Sequence, residues 1–306
     1  MLVGLITHSA CLRHEMGAHH PECPQRLSAI EDYLISHGLN MMLRHYDAPR
    51  ASREQLARVH DPAYIDRIFA SAPETGYVEL DGDTSMNPYT LEAALRAAGS
   101  AVMAVDLVMS GELTSAFCNV RPPGHHAERD RAMGFCIFNN VAVGAAHALA
   151  AHGLERIAIV DFDVHHGNGT EHIFAAEPRV LFCSTFQHPF YPHTGAETDT
   201  PHIVNVPLPA GSDGTVFRQA VTEHWLPRLE AFAPQLIMFS AGFDGHADDD
   251  MAMLALREDD YRWVTRRVHE VATRHAQGRM VSLLEGGYEL HALARSAFAH
   301  IDALLD

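Results

Sequence analysis

The sequence holds no Cys-x-x-Cys pair. Its five cysteines, Cys11, Cys23, Cys118, Cys136 and Cys183, are scattered and odd in number. That argues against a disulfide scaffold and for a reducing compartment. An excess of positive charge is also missing. The formal net charge is −17 with neutral His, which speaks against nucleic acid and against an anionic membrane surface as partners. Such acidity suits a cationic substrate, but it also serves solubility alone. No apolar run approaches transmembrane length. Met1-Leu2-Val3-Gly4-Leu5-Ile6-Thr7-His8 has no basic flank, so it reads as a first strand rather than a signal peptide. We expect a soluble, cytoplasmic protein. Linkers, low-complexity tracts and composition shifts are absent, so residues 1–306 are read as one domain. Two enzyme signatures are absent as well. Without a Gly-x-Ser-x-Gly elbow a serine hydrolase is disfavoured, and there is no P-loop.

What is present is a recurring pattern. With 47% hydrophobic residues, the chain can bury the core of a large α/β domain. Apolar runs at Leu2 to Thr7, Phe117 to Val120, Ile157 to Val160, Val180 to Cys183, Leu236 to Ser240 and Met280 to Leu284 read as strands. The last five each lead into a cluster of Gly, His, Asp or Tyr. Helical periodicity marks Leu27 to His37, Glu54 to Ile68 with a break near Asp61-Pro62, Leu91 to Met109, and Asn140 to His152. It returns at Thr215 to Phe232, Glu258 to His275 and Leu290 to Leu305. Pro73 to Pro88 reads as a polar loop. Strands alternating with helices imply βαβ units and a mostly parallel sheet with helices on both faces.

The stretch from Arg156 to Thr170 organises the rest. After a buried strand, Asp161, Asp163 and His165 alternate with Phe162 and Val164. An extended chain places all three on one face. Gly167 and Gly169 are expected to turn the backbone tightly around Asn168. Ligands of an open α/β sheet bind beyond the carboxyl ends of its strands. Asp163, His165 and Asp244 form a candidate ligand set for Zn²⁺ or Fe²⁺ with open positions. A lone Asp after a strand more often caps a helix, but an alternating Asp-x-Asp-x-His set does not. His125 and His126 follow a stiff Pro-Pro-Gly turn, and Asp161 and Asn168 are natural partners for their rings. A carboxylate favours an imidazolium and a neutral amide does not, so the ring paired with Asn168 suits a general base. Tyr288 follows Gly286-Gly287 and suits an oxyanion donor. Gly134-Phe135 and Phe190-Tyr191 can wall an apolar channel. Asp248-Asp249-Asp250 reads as a solvated acidic turn, and Cys136 and Cys183 as buried small hydrophobes. The assembled parts suit amide hydrolysis.

Arg121-Pro122-Pro123-Gly124-His125-His126, Gly134-Phe135-Cys136, Asp161-Phe162-Asp163-Val164-His165-His166-Gly167-Asn168-Gly169-Thr170, Ser240-Ala241-Gly242-Phe243-Asp244 and Glu285-Gly286-Gly287-Tyr288 together resemble the zinc-dependent histone deacetylase family. The resemblance implies the arginase–deacetylase fold and one zinc ion on Asp163, His165 and Asp244. It implies His126 as general base and acid, Asp161 as the residue orienting His125, and Tyr288 as the carbonyl and oxyanion ligand. Gly134, Phe135 and Phe190 would line the channel, with Asp83 at its rim. Potassium would be held at Asp161, Asp163, His165, Ser184 and Thr185, largely through backbone carbonyls. Asn168 points to class II and to bacterial deacetylase-like amidohydrolases, and His193 departs from an expected Gly. The substrate implied is an acyl-lysine peptide or protein, or else an acetylated polyamine. Two other readings stay open: a binuclear manganese ureohydrolase and a silent acyl-lysine-binding module.

Overall fold

The computed structural model describes residues 2–198 and 200–306. The described residues form ten strands and ten α-helices. The strands are β1 Val3–Thr7, β2 Leu43–Asp47, β3 Val78–Asp81, β4 Thr84–Met86, β5 Ser115–Cys118, β6 Ile157–Asp161, β7 Val180–Gln187, β8 Ile203–Leu208, β9 Leu236–Ala241 and β10 Met280–Leu284. The helices are α1 Gln25–Ser36, α2 Arg53–Ala57, α3 Pro62–Ser71, α4 Thr90–Met109, α5 Asn140–Ala151, α6 Asn168–Phe174, α7 Gly214–Ala220, α8 Leu226–Phe232, α9 Glu258–His275 and α10 Leu290–Leu304. Eight strands make one parallel sheet in the order β2-β1-β5-β10-β9-β6-β7-β8. Its four central strands are buried throughout, which is why each reads as a continuous apolar run. Two helix groups, α4 with α5 and α1 with α10 and α9, flank it.

Several elements differ from the sequence expectation. Both edge strands went unread. Strand β2 is largely solvated, and β8 carries Pro207, which is tolerated only at an edge. The stretch read as a polar loop contains the β3–β4 hairpin, closed at Gly82. Strand β7 runs on to Gln187, so Ser184 and Thr185 lie inside it rather than beyond its end. The long helix expected over Thr215 to Phe232 is interrupted by a π-helical turn at Val221–Trp225. Pro227 has no N–H for the α-ladder, and the hydrogen bonding shifts just before it.

His300 of α10 sits in the core, fully buried, against Phe117, Phe162, Phe239 and Phe243. Its Nδ1 lies 2.6 Å from Thr265 Oγ1 and its Nε2 2.8 Å from Ser282 Oγ. Burial pushes its pKa down to about 3. His60 is pushed to about 4 for the same reason. Both folded values lie below the unfolded histidine value. The stability they allow is therefore complete above the unfolded pKa and lost as pH falls from about 6.5 toward 4. Each neutral His should steepen the pH dependence of unfolding by about 1.4 kcal/mol per pH unit in that window. Urea titrations of the wild type and His300→Gln at several pH values check this. Equal slopes for the two proteins would contradict it.

Candidate metal centre and channel

Four adjacent strands, β5, β10, β9 and β6, end at the same edge of the sheet, and the loops that follow them build the site. The strand conformation stops at Asp161, and residues 163–165 bend. The expected extended alternation therefore does not hold, yet the residues still converge, because carboxylates clamp the bend. Asp161 Oδ1 accepts from the N–H of Asp163 at 3.1 Å. Asp163 Oδ1 accepts from the N–H of His165 at 2.9 Å. Asp244 Oδ1 reaches across from the β9 loop to the N–H of Val164 at 3.0 Å.

Asp163, His165 and Asp244 are buried and form one cluster. His165 Nδ1 lies 3.0 Å from Asp163 Oδ1 and 3.2 Å from Asp244 Oδ2. One ring nitrogen cannot satisfy two carboxylates, and Asp244 Oδ2 is left without a hydrogen bond. A buried carboxylate oxygen in that state, beside a second carboxylate and an imidazole, fits a bound cation. Burial and the charge of Asp163 push the Asp244 carboxyl up to about 6. Two glycines make room for the carboxylates. A Cβ at Gly242 would collide with Asp163, and one at Gly286 with Asp244. The donor set of two oxygens and one imidazole nitrogen fits Zn²⁺ or Fe²⁺ with open positions. Ser184 Oγ is likewise buried and unpartnered, in register with Asp161 on the next strand. It fits one hydroxyl ligand of the potassium site that the resemblance implied.

Two other His–carboxylate clusters are found among the described residues, Asp106 with His147 and His152, and Glu128 with Asp130 and His172. In the first, Arg58 Nη1 faces His147 Nδ1 at 2.8 Å, so that nitrogen must accept. His147 Nε2 then carries the proton and donates it to Asp106 at 2.7 Å, which leaves no lone pair for a metal. In the second, Glu128 is committed to Arg131 and Asn168.

The His125 and His126 rings lie with centroids 4.0 Å apart, tilted 42° to one another. His125 Nδ1 lies 3.0 Å from Asp161 Oδ2, and His126 Nδ1 lies 2.8 Å from Asn168 Oδ1. Burial opposes a charge on His125, but the carboxylates of Asp161 and Asp163 outweigh it and hold its pKa well above the usual value. His126 goes the other way. Burial, reinforced by the positive His125 and His165 rings, holds it well below the usual value. The tight turn expected at Gly167 and Gly169 is instead the start of α6, and neither glycine has a positive φ. Their role is close approach: a Cβ at Gly167 would strike Asp161.

A channel of about 210 Å³ leads to the cluster, lined by Asp83, His126, Gly134, Phe135, His165, Phe190, Tyr191, Met251 and Tyr288. Phe190 stacks on the His165 ring at 5.4 Å, and Phe135 meets the Tyr288 ring edge-on at 5.9 Å. Asp83, on the hairpin, accepts from the N–H of Gly134 at 3.1 Å, and Thr84 Oγ1 accepts from Phe135 N–H at 3.0 Å. The hairpin thus braces the Gly134-Phe135 turn. His193 adopts φ 64°, so it takes the left-handed conformation that a glycine would supply there.

Sequence reasoning missed the residues that hold this apparatus in place. Glu285 is buried, and its Oε2 accepts from the N–H groups of Gly124 at 2.6 Å and His125 at 3.1 Å. Burial raises its pKa to about 7. Arg26 Nε donates to the Gly287 carbonyl at 2.6 Å, and its guanidinium lies 5.0 Å from the Tyr288 ring. Glu22 pairs with both Arg26 and Arg121 in the core. Asp249 corrects the reading of a solvated acidic turn. It is buried, and its Oδ2 accepts from the N–H groups of Tyr288 at 2.6 Å and Glu289 at 3.0 Å. Asp248 is exposed and pairs with Arg257 and Arg295. All five cysteines are free, and burial raises the Cys183 and Cys136 thiols well above the usual thiol range.

The histone deacetylase domain family matches residues 20–304. The chain belongs to that family. A histone deacetylase-like amidohydrolase of Pseudomonas aeruginosa is 41% identical over 278 residues, covering 89% of this chain and 73% of the relative. A probable deacetylase of Archaeoglobus fulgidus is 37% identical, covering 95% and 82%. Among solved structures, the HDA15 HD domain superposes with a TM-score of 0.94 at 34% identity, covering 99% of this chain and 89% of its own. The sheet and its flanking helices are therefore the arginase–deacetylase fold, and the family supports a hydrolase acting on amides. No helix among the described residues is long and apolar enough to cross a membrane.

Proposed function

We propose that residues 1–306 form one catalytic domain of a zinc-dependent amidohydrolase that removes acetyl or other acyl groups from the amine of lysine side chains. One observation carries the reading. His126, His165 and Tyr288 line one aromatic channel, with the His125 ring 4.0 Å behind His126 and the unpartnered Asp244 Oδ2 3.2 Å behind His165 Nδ1. Bound to Asp163, His165 and Asp244, Zn²⁺ supplies Lewis acidity toward the amide carbonyl and acidifies the attacking water. The side chains supply the rest. His126 donates Nδ1–H to Asn168, so its Nε2 lone pair is free to take the proton from water and return it to the leaving amine. His125, held cationic by Asp161, stabilises the negative charge that develops. Tyr288 donates its hydroxyl to the oxyanion. Phe135 and Phe190 hold an extended aliphatic chain and exclude water. Potassium at Asp161 and Ser184 would stiffen the metal loop.

The channel mouth admits either a lysine side chain or an acetylated polyamine. Asp83 is the one carboxylate in the lining, and the Gly134 N–H and the Thr84 hydroxyl both donate to its Oδ1. Met251, in the same lining, is apolar. Asp83 Oδ2 stays open to a second cationic centre, which keeps an acetylated polyamine as the alternative substrate.

The test is kcat/KM of zinc-loaded protein on acetyl-lysine peptides against acetylated polyamines. Peptides should turn over with the larger kcat/KM. Preferential turnover of polyamines would move the substrate to small-molecule amides. Tight hydroxamate binding with no turnover of either would leave a binding module. All 22 Lys and Arg residues of the chain are arginine, so the enzyme adds no side-chain acceptor of its own to the assay.

A further inference from the structure

We propose that Glu128 is a positioning residue that sets the tautomer of His126 by fixing the side-chain amide of Asn168. The inference rests on the reading of His126 as the base. An asparagine amide has two faces, an acceptor oxygen and a donor nitrogen, and which one meets the imidazole decides where the ring proton sits. Here the nitrogen face is committed. Asn168 Nδ2 donates to Glu128 Oε1 at 2.7 Å and also lies 3.3 Å from Met133 Sδ and 3.4 Å from the His126 carbonyl. All three are acceptors. The oxygen face therefore points at His126 Nδ1, which must be the protonated nitrogen. The lone pair is left on Nε2. If the amide turned over, its N–H would face Nδ1, the proton would move to Nε2, and the ring could not act as a base there.

Glu128 makes the largest contribution to this choice. It is the shortest of the three contacts and the only charged one, and a charged acceptor is about twice as strong as a neutral one. Glu128 is itself held. Arg131 Nη2 donates to Oε1 at 2.8 Å and Arg131 Nε to Oε2 at 3.1 Å. The chain Arg131–Glu128–Asn168–His126 thus runs from the surface to the base. It also gives a reason why an asparagine stands at 168 in this chain. An aspartate there would face the Glu128 carboxylate across about 2.7 Å, and two carboxylates at that separation cannot both stay ionised.

Glu128→Ala should lower kcat by roughly 10- to 100-fold, a part of the 10²- to 10⁴-fold that a positioned base supplies. KM and metal content should stay within about twofold. Glu128→Gln keeps an acceptor oxygen and should retain kcat within about threefold. The tautomer itself is read by ¹⁵N NMR of histidine-labelled protein, with the His126 signals identified by their loss in His126→Ala. The wild type should show Nδ1–H, and Glu128→Ala a mixture with Nε2–H. Asn168→Asp should lose activity, and Glu128→Gln should restore part of it in the double variant. Three results would overturn the proposal: full kcat in Glu128→Ala, lost kcat with the ring still purely Nδ1–H, or multiplicative losses in the double variant. Failure of the functional reading looks different, since a wild type without turnover still reports its ring tautomer.

Discussion

Tyr288→Phe lowers kcat by about 10²- to 10³-fold, the usual cost of removing one oxyanion donor, while KM moves little. The expectation follows from how the residue is held. Its backbone N–H is fixed by Asp249, and the carbonyl before it by Arg26. Its ring is packed edge-on against Phe135. None of these contacts uses the hydroxyl, so phenylalanine should keep the position and lose only the donor. Burial and the nearby Asp244 and Asp163 charges hold the phenol pKa well above its usual value, so the group is a donor at any working pH. Steady-state kinetics on an acyl-lysine peptide, with a melting curve as control, measures this. A variant with unchanged kcat would remove Tyr288 from the mechanism.

Metal removal should have the larger effect. Chelation of the wild type should abolish turnover, and one equivalent of Zn²⁺ should restore it. Asp244→Asn should reproduce the loss, because an amide keeps the hydrogen bond from Val164 but not the free carboxylate oxygen. Several kcal/mol of Lewis-acid stabilisation disappear with the ion, equivalent to about 10³-fold or more in kcat. Stability reports the same event. Free Zn²⁺ at 100 times its dissociation constant adds about 2.7 kcal/mol to a protein that binds it only when folded, and Asp244→Asn should lose that increment. Full activity in chelator would end the zinc reading. Two Mn²⁺ per chain would instead point to a ureohydrolase.

The chemistry was legible in the sequence because the reacting residues sit in short runs at strand ends. Asp161 through Asn168, His125-His126 and Gly286-Gly287-Tyr288 are local patterns. The supporting residues are not. Arg26 meets Gly287 across 261 positions, and Asp249 meets Tyr288 across 39. Nothing in a run of three aspartates tells which one turns inward to take two backbone N–H groups. The central strands could be read because both their faces are buried. Strands β2 and β8 could not, since an edge strand with solvated positions lacks that signal. Glycines were read for the wrong property at 167 and 169, where space rather than backbone freedom is what the fold requires.

The position of β10 has a consequence for biosynthesis. It follows every other strand in the chain, yet it lies between β5 and β9 in the middle of the sheet. Until it emerges from the ribosome, the earlier strands can pair only as two pieces, β2-β1-β5 and β9-β6-β7-β8, each with an open apolar edge. Those edges are what a nascent chain exposes to aggregation or to a chaperone. The residues of the metal cluster all belong to the second piece and precede β10, whereas Tyr288 follows it. A ligand set can thus be translated before the insertion that joins the halves, and the oxyanion donor arrives only with that last step.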